Sequence, residues 1–179
     1  MSLIEKFVPE AAAKTEQWIR EMRDRHLKTA RGLTTAERER LQKHFDAELL
    51  DLARVEEVTE LQKPPFFDGL RSQLAFVGMR IAFDFAAASG LTFDNCLLLR
   101  QSAMSDELLF HEMVHAEQYR QLGVARFAAA YVRGFADGGF THEGIPLEHN
   151  AIALTARFGA KKEFSVREEV GSWLATRGY

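Results

Sequence analysis

The residues of this chain whose types and spacing most directly suggest chemistry are two histidines with a glutamate between them, His111-Glu112-Met113-Val114-His115. On an α-helix, residues four apart stand on one face, so both imidazoles can be aimed at a single cation. Glu112 then lies beside that cation, where a carboxylate can take a proton from water. Helical spacing makes zinc the metal of choice, although iron(II) also accepts two histidines and a carboxylate. A zinc that does chemistry takes three protein ligands and keeps one position open. Downstream, His142, Glu148 and His149 are the available third ligands. Glu148 is preferred, because Pro146 suits a first helical turn and sets this carboxylate there, whereas His149 points about 100° further round the same helix.

If such a site is hydrolytic, Glu112 is its general base, and a developing oxyanion also needs a donor. Tyr131, Arg126 and His142 are the nearest candidates in sequence, although Tyr131 and Phe127 also stand at core spacing.

The elements that must position these groups can be read from the same stretch. Leu91–Arg100 alternates like a half-buried strand. Ser105 reads as the N-cap of an amphipathic motif helix, with Asp106 and Glu107 at its positive end, Leu108, Leu109, Met113, Val114 and Leu122 as packing residues, and Gly123 at its close. An edge strand above that helix could hold an extended peptide through main-chain hydrogen bonds. Further helices are expected from Val124 to about Phe135, from Pro146 to about Arg157, and in the tail beyond Phe164.

Upstream, a helix is expected from about Pro9 to Ala30. A second follows, opened by the capping box Thr34-Thr35-Ala36-Glu37 and running to about Glu57. His26 and His44 read as surface histidines. Pro64-Pro65 breaks the pattern. The chain is therefore expected to be one domain over 1–179, with a helical N-terminal part over 1–63 and a metal-site part over 64–179. The apolar run from Leu70 through Phe76, Val77, Met79, Ile81 and Phe83 to Phe85 has a mixed period and is read as helix, then strand.

Composition bounds the remaining possibilities. The formal net charge is -3, which offers no basic field for nucleic acid. The apolar stretches are broken by Arg80, Asp84, Asp94 and Arg100, so no membrane span is expected. The single cysteine, Cys96, cannot form an internal disulfide and reads as a buried hydrophobe in a cytoplasmic protein.

The segment from His111 through Ala116-Glu117-Gln118-Tyr119-Arg120, with the later Ile145-Pro146-Leu147-Glu148-His149-Asn150-Ala151, resembles the zincin metallopeptidases. More narrowly, it is similar to small bacterial zincin-like proteins with a downstream glutamate ligand. The resemblance covers about Leu91 to Phe158. It implies a mainly α (α+β), zincin-like fold with a small strand element before the motif helix. It also implies zinc held by His111, His115 and Glu148, Glu112 as catalytic residue, and a peptide or protein substrate. Two features depart from better-known patterns. The metzincin extension is missing after His115, and Ile152 stands where relatives carry an aspartate that orients a histidine ligand. That orienting partner must then come from elsewhere, a backbone carbonyl or Asn150, while Glu117 and Gln118 are expected to face solvent or make helix contacts. A competing expectation is a non-catalytic zinc-binding module that docks through its N-terminal helices. Glu112 speaks against it, since a purely structural site does not require a base. A hydrolase of non-peptide substrates is the third reading.

Overall fold

Residues 90–100 form two strands where one was expected. In the computed structural model, which describes residues 3–76, 78–81 and 84–179, β2 (Gly90–Phe93) turns back on β3 (Cys96–Arg100). Phe93 pairs with Cys96, leaving Asp94-Asn95 as a two-residue turn, and Asp94 takes a φ of 60°, a conformation that aspartate tolerates. A further strand, β1 (Arg54–Val58), runs parallel to β3, with Val55 opposite Leu97, so the sheet order is β1-β3-β2. The central strand is buried from Cys96 to Leu99, as a run of consecutive apolar residues requires when both faces are covered. The outer side of β1 is closed by a bridge between Arg31 and Val55.

Helix α1 spans Leu3–His26, so Pro9 lies inside it rather than at its start. The Thr34–Glu37 capping box forms as expected and opens α2 (Thr35–Leu41). The helix expected to continue to Glu57 stops there. Asp46 instead caps a separate α3 (Ala47–Leu52), accepting a hydrogen bond from the Leu49 backbone while also holding Arg120 at 2.6 and 2.8 Å. After Pro64-Pro65 comes α4 (Phe67–Phe76). The strand expected beyond it does not form among the described residues, which hold only a 3-10 turn at Phe85–Ala87; Val77 and Phe83 lie outside them.

The motif helix is α5 (Asp106–Leu122), capped by Ser105 and closed by Gly123 at a φ of 74°. It is followed by α6 (Val124–Asp137), α7 (Pro146–Gly159) and α8 (Val166–Arg177). The expected amphipathic helix with one wet face is not what forms. α5 packs against β2, β3, α6, α7 and α8, and Glu112, Glu117 and Gln118 are buried along with its apolar residues. α1 lies along α6 and touches β2. The protein is thus mainly helical with a small three-stranded sheet. Among the described residues, no helix is long and apolar enough to cross a membrane.

The two upstream histidines differ from expectation. His44 is buried, edge-on to Phe110 and Phe158, and meets the Phe164 carbonyl at 3.3 Å. His26 is half-buried and paired with Glu56 at 2.8 Å.

Candidate metal centre

Two helices supply three convergent ligand atoms. His111 and His115 stand on successive turns of α5 with their Nε2 atoms 3.1 Å apart. Glu148, in the first turn of α7, brings Oε2 to 3.3 Å from His111 Nε2 and 3.2 Å from His115 Nε2. These atoms form a nearly equilateral triangle, and His115 and Glu148 are buried. Of the three proposed third ligands, Glu148 is the one in the triangle. His149 is exposed and turns its Nε2 to the Glu143 carbonyl.

The α6–α7 connection explains how Glu148 gets there. Gly134 lies so close to Pro146 that a Cβ would come within 2.5 Å of the ring, and Gly138 and Gly144 touch backbone to backbone. Both approaches require glycine. They fold the connection back and start α7 opposite α5.

Neighbouring groups orient His115 and Glu148. His115 Nδ1–H donates to Gln118 Oε1 at 2.9 Å, so the ring's other nitrogen, Nε2, is the one that faces the triangle. Gln118 in turn donates through Nε2 to the Leu147 carbonyl and Asn150 Oδ1, each at 3.0 Å, so its amide has one orientation that satisfies all partners. Gln118 is therefore the orienting group whose source the sequence left open, and Asn150 acts one step further out. Gln118 and Glu117 are buried rather than facing solvent, and both make the helix contacts expected as the alternative, Gln118 with His115 and Glu117 with Arg120 and Gln121.

The other oxygen of Glu148 is also occupied. Tyr131 donates to Oε1 at 2.8 Å and His142 Nε2 lies 3.2 Å from it. Two of the three residues named as oxyanion donors, Tyr131 and His142, thus meet the Glu148 carboxylate, while Arg126 is exposed. Burial raises the Tyr131 hydroxyl well above its usual pKa, and the negative charge of Glu148 adds to this, so the phenol stays a donor. Burial would raise Glu148, but the charge of His115 and hydrogen bonds from the three histidines hold it well below the carboxylate range. Burial would lower His115, yet Glu148, then Glu112 and Gln118, push it up to about 9. The hydrogen bond to Glu148 likewise raises His142 above its ordinary value against the opposing effect of burial.

Glu112 is buried beside the triangle. Thr92 of β2 donates to its Oε2 at 2.6 Å, and the same hydroxyl lies 3.1 Å from its backbone carbonyl. Gly90, at the start of that strand, is seated on the carboxylate: a Cβ there would come within 2.4 Å of Glu112 Oε1.

Two cavities meet at the centre. An outer cleft of about 600 Å³, bordered by Ser89, Glu107, Glu143 and Thr155, reaches Gly90, His111, Glu112 and His142. An inner chamber of about 160 Å³ shares those four residues and extends past Glu148 and Tyr131. Tyr119, stacked on Phe127 at 3.6 Å between ring centres, lines it as well.

Comparison of the chain with protein families, curated proteins and solved structures finds no match. The functional reading therefore rests on the site itself.

Proposed function

We propose that the protein is a zinc-dependent hydrolase of peptide bonds, of zincin type, with His111, His115 and Glu148 as metal ligands and Glu112 as general base. The observation that carries this reading is the ligand triangle with a buried carboxylate beside it. Around a tetrahedral zinc with bonds of about 2.0–2.1 Å, neighbouring ligand atoms lie about 3.3 Å apart. The three sides here are 3.1, 3.2 and 3.3 Å. Two imidazoles and a carboxylate also form the donor set of catalytic zinc sites that keep a fourth position open.

At a site of this kind His111, His115 and Glu148 would hold a zinc, which would supply a Lewis acid able to bring the pKa of water toward about 7 and to polarise a carbonyl oxygen. The chain's own residues do the rest. Glu112, held through Oε2 by Thr92, accepts the water's proton and delivers it to the departing amine nitrogen. The hydroxyl would add to the carbonyl carbon, and the C–N bond would break as the nitrogen takes the proton from Glu112 and the C=O bond re-forms. Gln118 keeps His115 in the tautomer that presents Nε2, and Tyr131 and His142 hold Glu148 with Oε2 turned to the ligand triangle. β2 is an edge strand beside Glu112, which supports an extended peptide as substrate.

Elemental analysis of protein purified without a metal-affinity tag tests the reading. One zinc per chain is expected in the native protein and in Glu112→Gln, with loss in Glu148→Ala. Hydrolysis of unfolded protein substrates should fall roughly 10²–10⁴-fold in Glu112→Gln. Native protein that cannot hold zinc would overturn the metal assignment; zinc retained without any hydrolysis would overturn the enzyme.

A further inference from the structure

The inner chamber differs in character from everything else around the centre. Its far walls come from α1, α4 and α6 and from the turn before β2, through Ala11, Trp18, Phe67, Phe85, Val132 and Phe135. Among the described residues, no charged side chain lines it apart from those at the centre itself, so a charged group entering its far end would lose its hydration without gaining a partner there. Its volume, about 160 Å³, is close to that of apolar cavities of about 150 Å³ that accept a benzene ring. The chamber opens on the metal ligands, because His111, Glu112, His115 and Glu148 belong to its lining.

We infer that this chamber selects the substrate: it takes one ring-sized or branched apolar side chain, of phenylalanine or leucine size, next to the bond to be cleaved. The proposal rests on the hydrolase reading above and extends it to substrate class. It also gives the N-terminal helix a role at the site, since α1 contributes Ala11, Thr15, Trp18 and Ile19 to the chamber wall.

The test uses binding, so that it does not depend on turnover. Zinc-loaded protein is titrated calorimetrically with acetohydroxamate, with a hydroxamate bearing a phenyl group on a short alkyl arm, and with one bearing an amine on the same arm. Burial of the ring predicts roughly ten- to hundredfold tighter binding of the phenyl compound than of acetohydroxamate, and no gain for the amine. Ala11→Leu places extra volume in the chamber and should reduce the gain to less than about threefold. Thr15→Leu, at a half-buried position of the same wall, should do the same and serves if Ala11→Leu does not fold. Acetohydroxamate binding with no advantage for the phenyl compound, or an equal advantage for the amine, would overturn the chamber's role and leave the metal assignment standing. Failure of every hydroxamate to bind, in a protein that also retains no zinc, would overturn the metal assignment and the substrate class with it.

Discussion

His115 is closely held by its neighbours, and its surroundings predict that the binding of a metal ion at this centre depends on pH. In the metal-free protein, burial opposes its charge, but Glu148 at 3.2 Å outweighs burial and the pKa rises to about 9. The protonated form therefore stabilises the metal-free fold fully below the ordinary value of about 6.5, and this contribution is lost as pH rises through about 9. Zinc must displace that proton, so its apparent affinity should climb roughly tenfold per unit between about pH 7 and 9. Competition against a fluorescent zinc chelator at several pH values measures the slope; a flat profile would contradict the pairing of His115 with Glu148. Gln118 gives a second prediction at this scale. Gln118→Leu removes the acceptor for Nδ1–H and should weaken zinc binding by roughly 10–100-fold, read in the same competition assay. The sequence exposed His111, Glu112 and His115 because helical spacing alone brings them together, and Glu148 because Pro146 starts its helix. It did not expose Gln118, although that residue is only three positions from His115. The motif helix was expected to have a wet side, whereas neighbours cover most of α5 and bury Glu112, Glu117 and Gln118.

The elements whose identity was missed are those that depend on distant partners. β1 reads Arg54-Val55-Glu56-Glu57-Val58, with three charges in five residues, and nothing local marks it as a strand. Its strand character comes from pairing with β3, some forty positions away, and from Arg31 on its other side. The break between α2 and α3 likewise depends on Asp46, which caps a new helix while bound to Arg120 of α5. Helix ends with local capping residues were legible: Thr34, Ser105, Gly123 and Pro146 all stand where they were read. Contact between β2 and α5 leads to a prediction that sequence could not supply. Any side chain at position 90 must displace the Glu112 carboxylate, so Gly90→Val should keep zinc while losing most hydrolysis, roughly 10²-fold or more. Zinc content and turnover measured on the same preparation decide it. A variant that loses zinc and turnover together would place Gly90 in the support of the ligands rather than of the base.

Taken as a whole, the molecule draws its candidate centre from segments far apart in the chain: the sheet holds Glu112 through Thr92, α5 carries His111 and His115, and α7 carries Glu148. An ion that binds only this assembled arrangement stabilises the fold by about 2.7 kcal/mol at a hundredfold excess over its dissociation constant. For a chain of this length, that corresponds to a rise in Tm of roughly 5–11 °C. Differential scanning calorimetry with added zinc and with chelator should show that difference in the native protein and little of it in Glu148→Ala. A native Tm indifferent to zinc would argue against a ligand set that exists only when α5 and α7 are packed together.

Helix α7 meets α5 through His115 and Glu148, residues 33 positions apart. A chain with one cysteine has no covalent cross-link of its own, yet an ion held by these two residues would close that loop as a disulfide does. For a loop of this length, the chain-entropy argument gives about 3–4 kcal/mol. The centre would then act as a removable staple. Chelation should first release the opening turn of α7 and the Gly138–Gly144 neck that delivers it, while the sheet, held by its own pairing, stays closed.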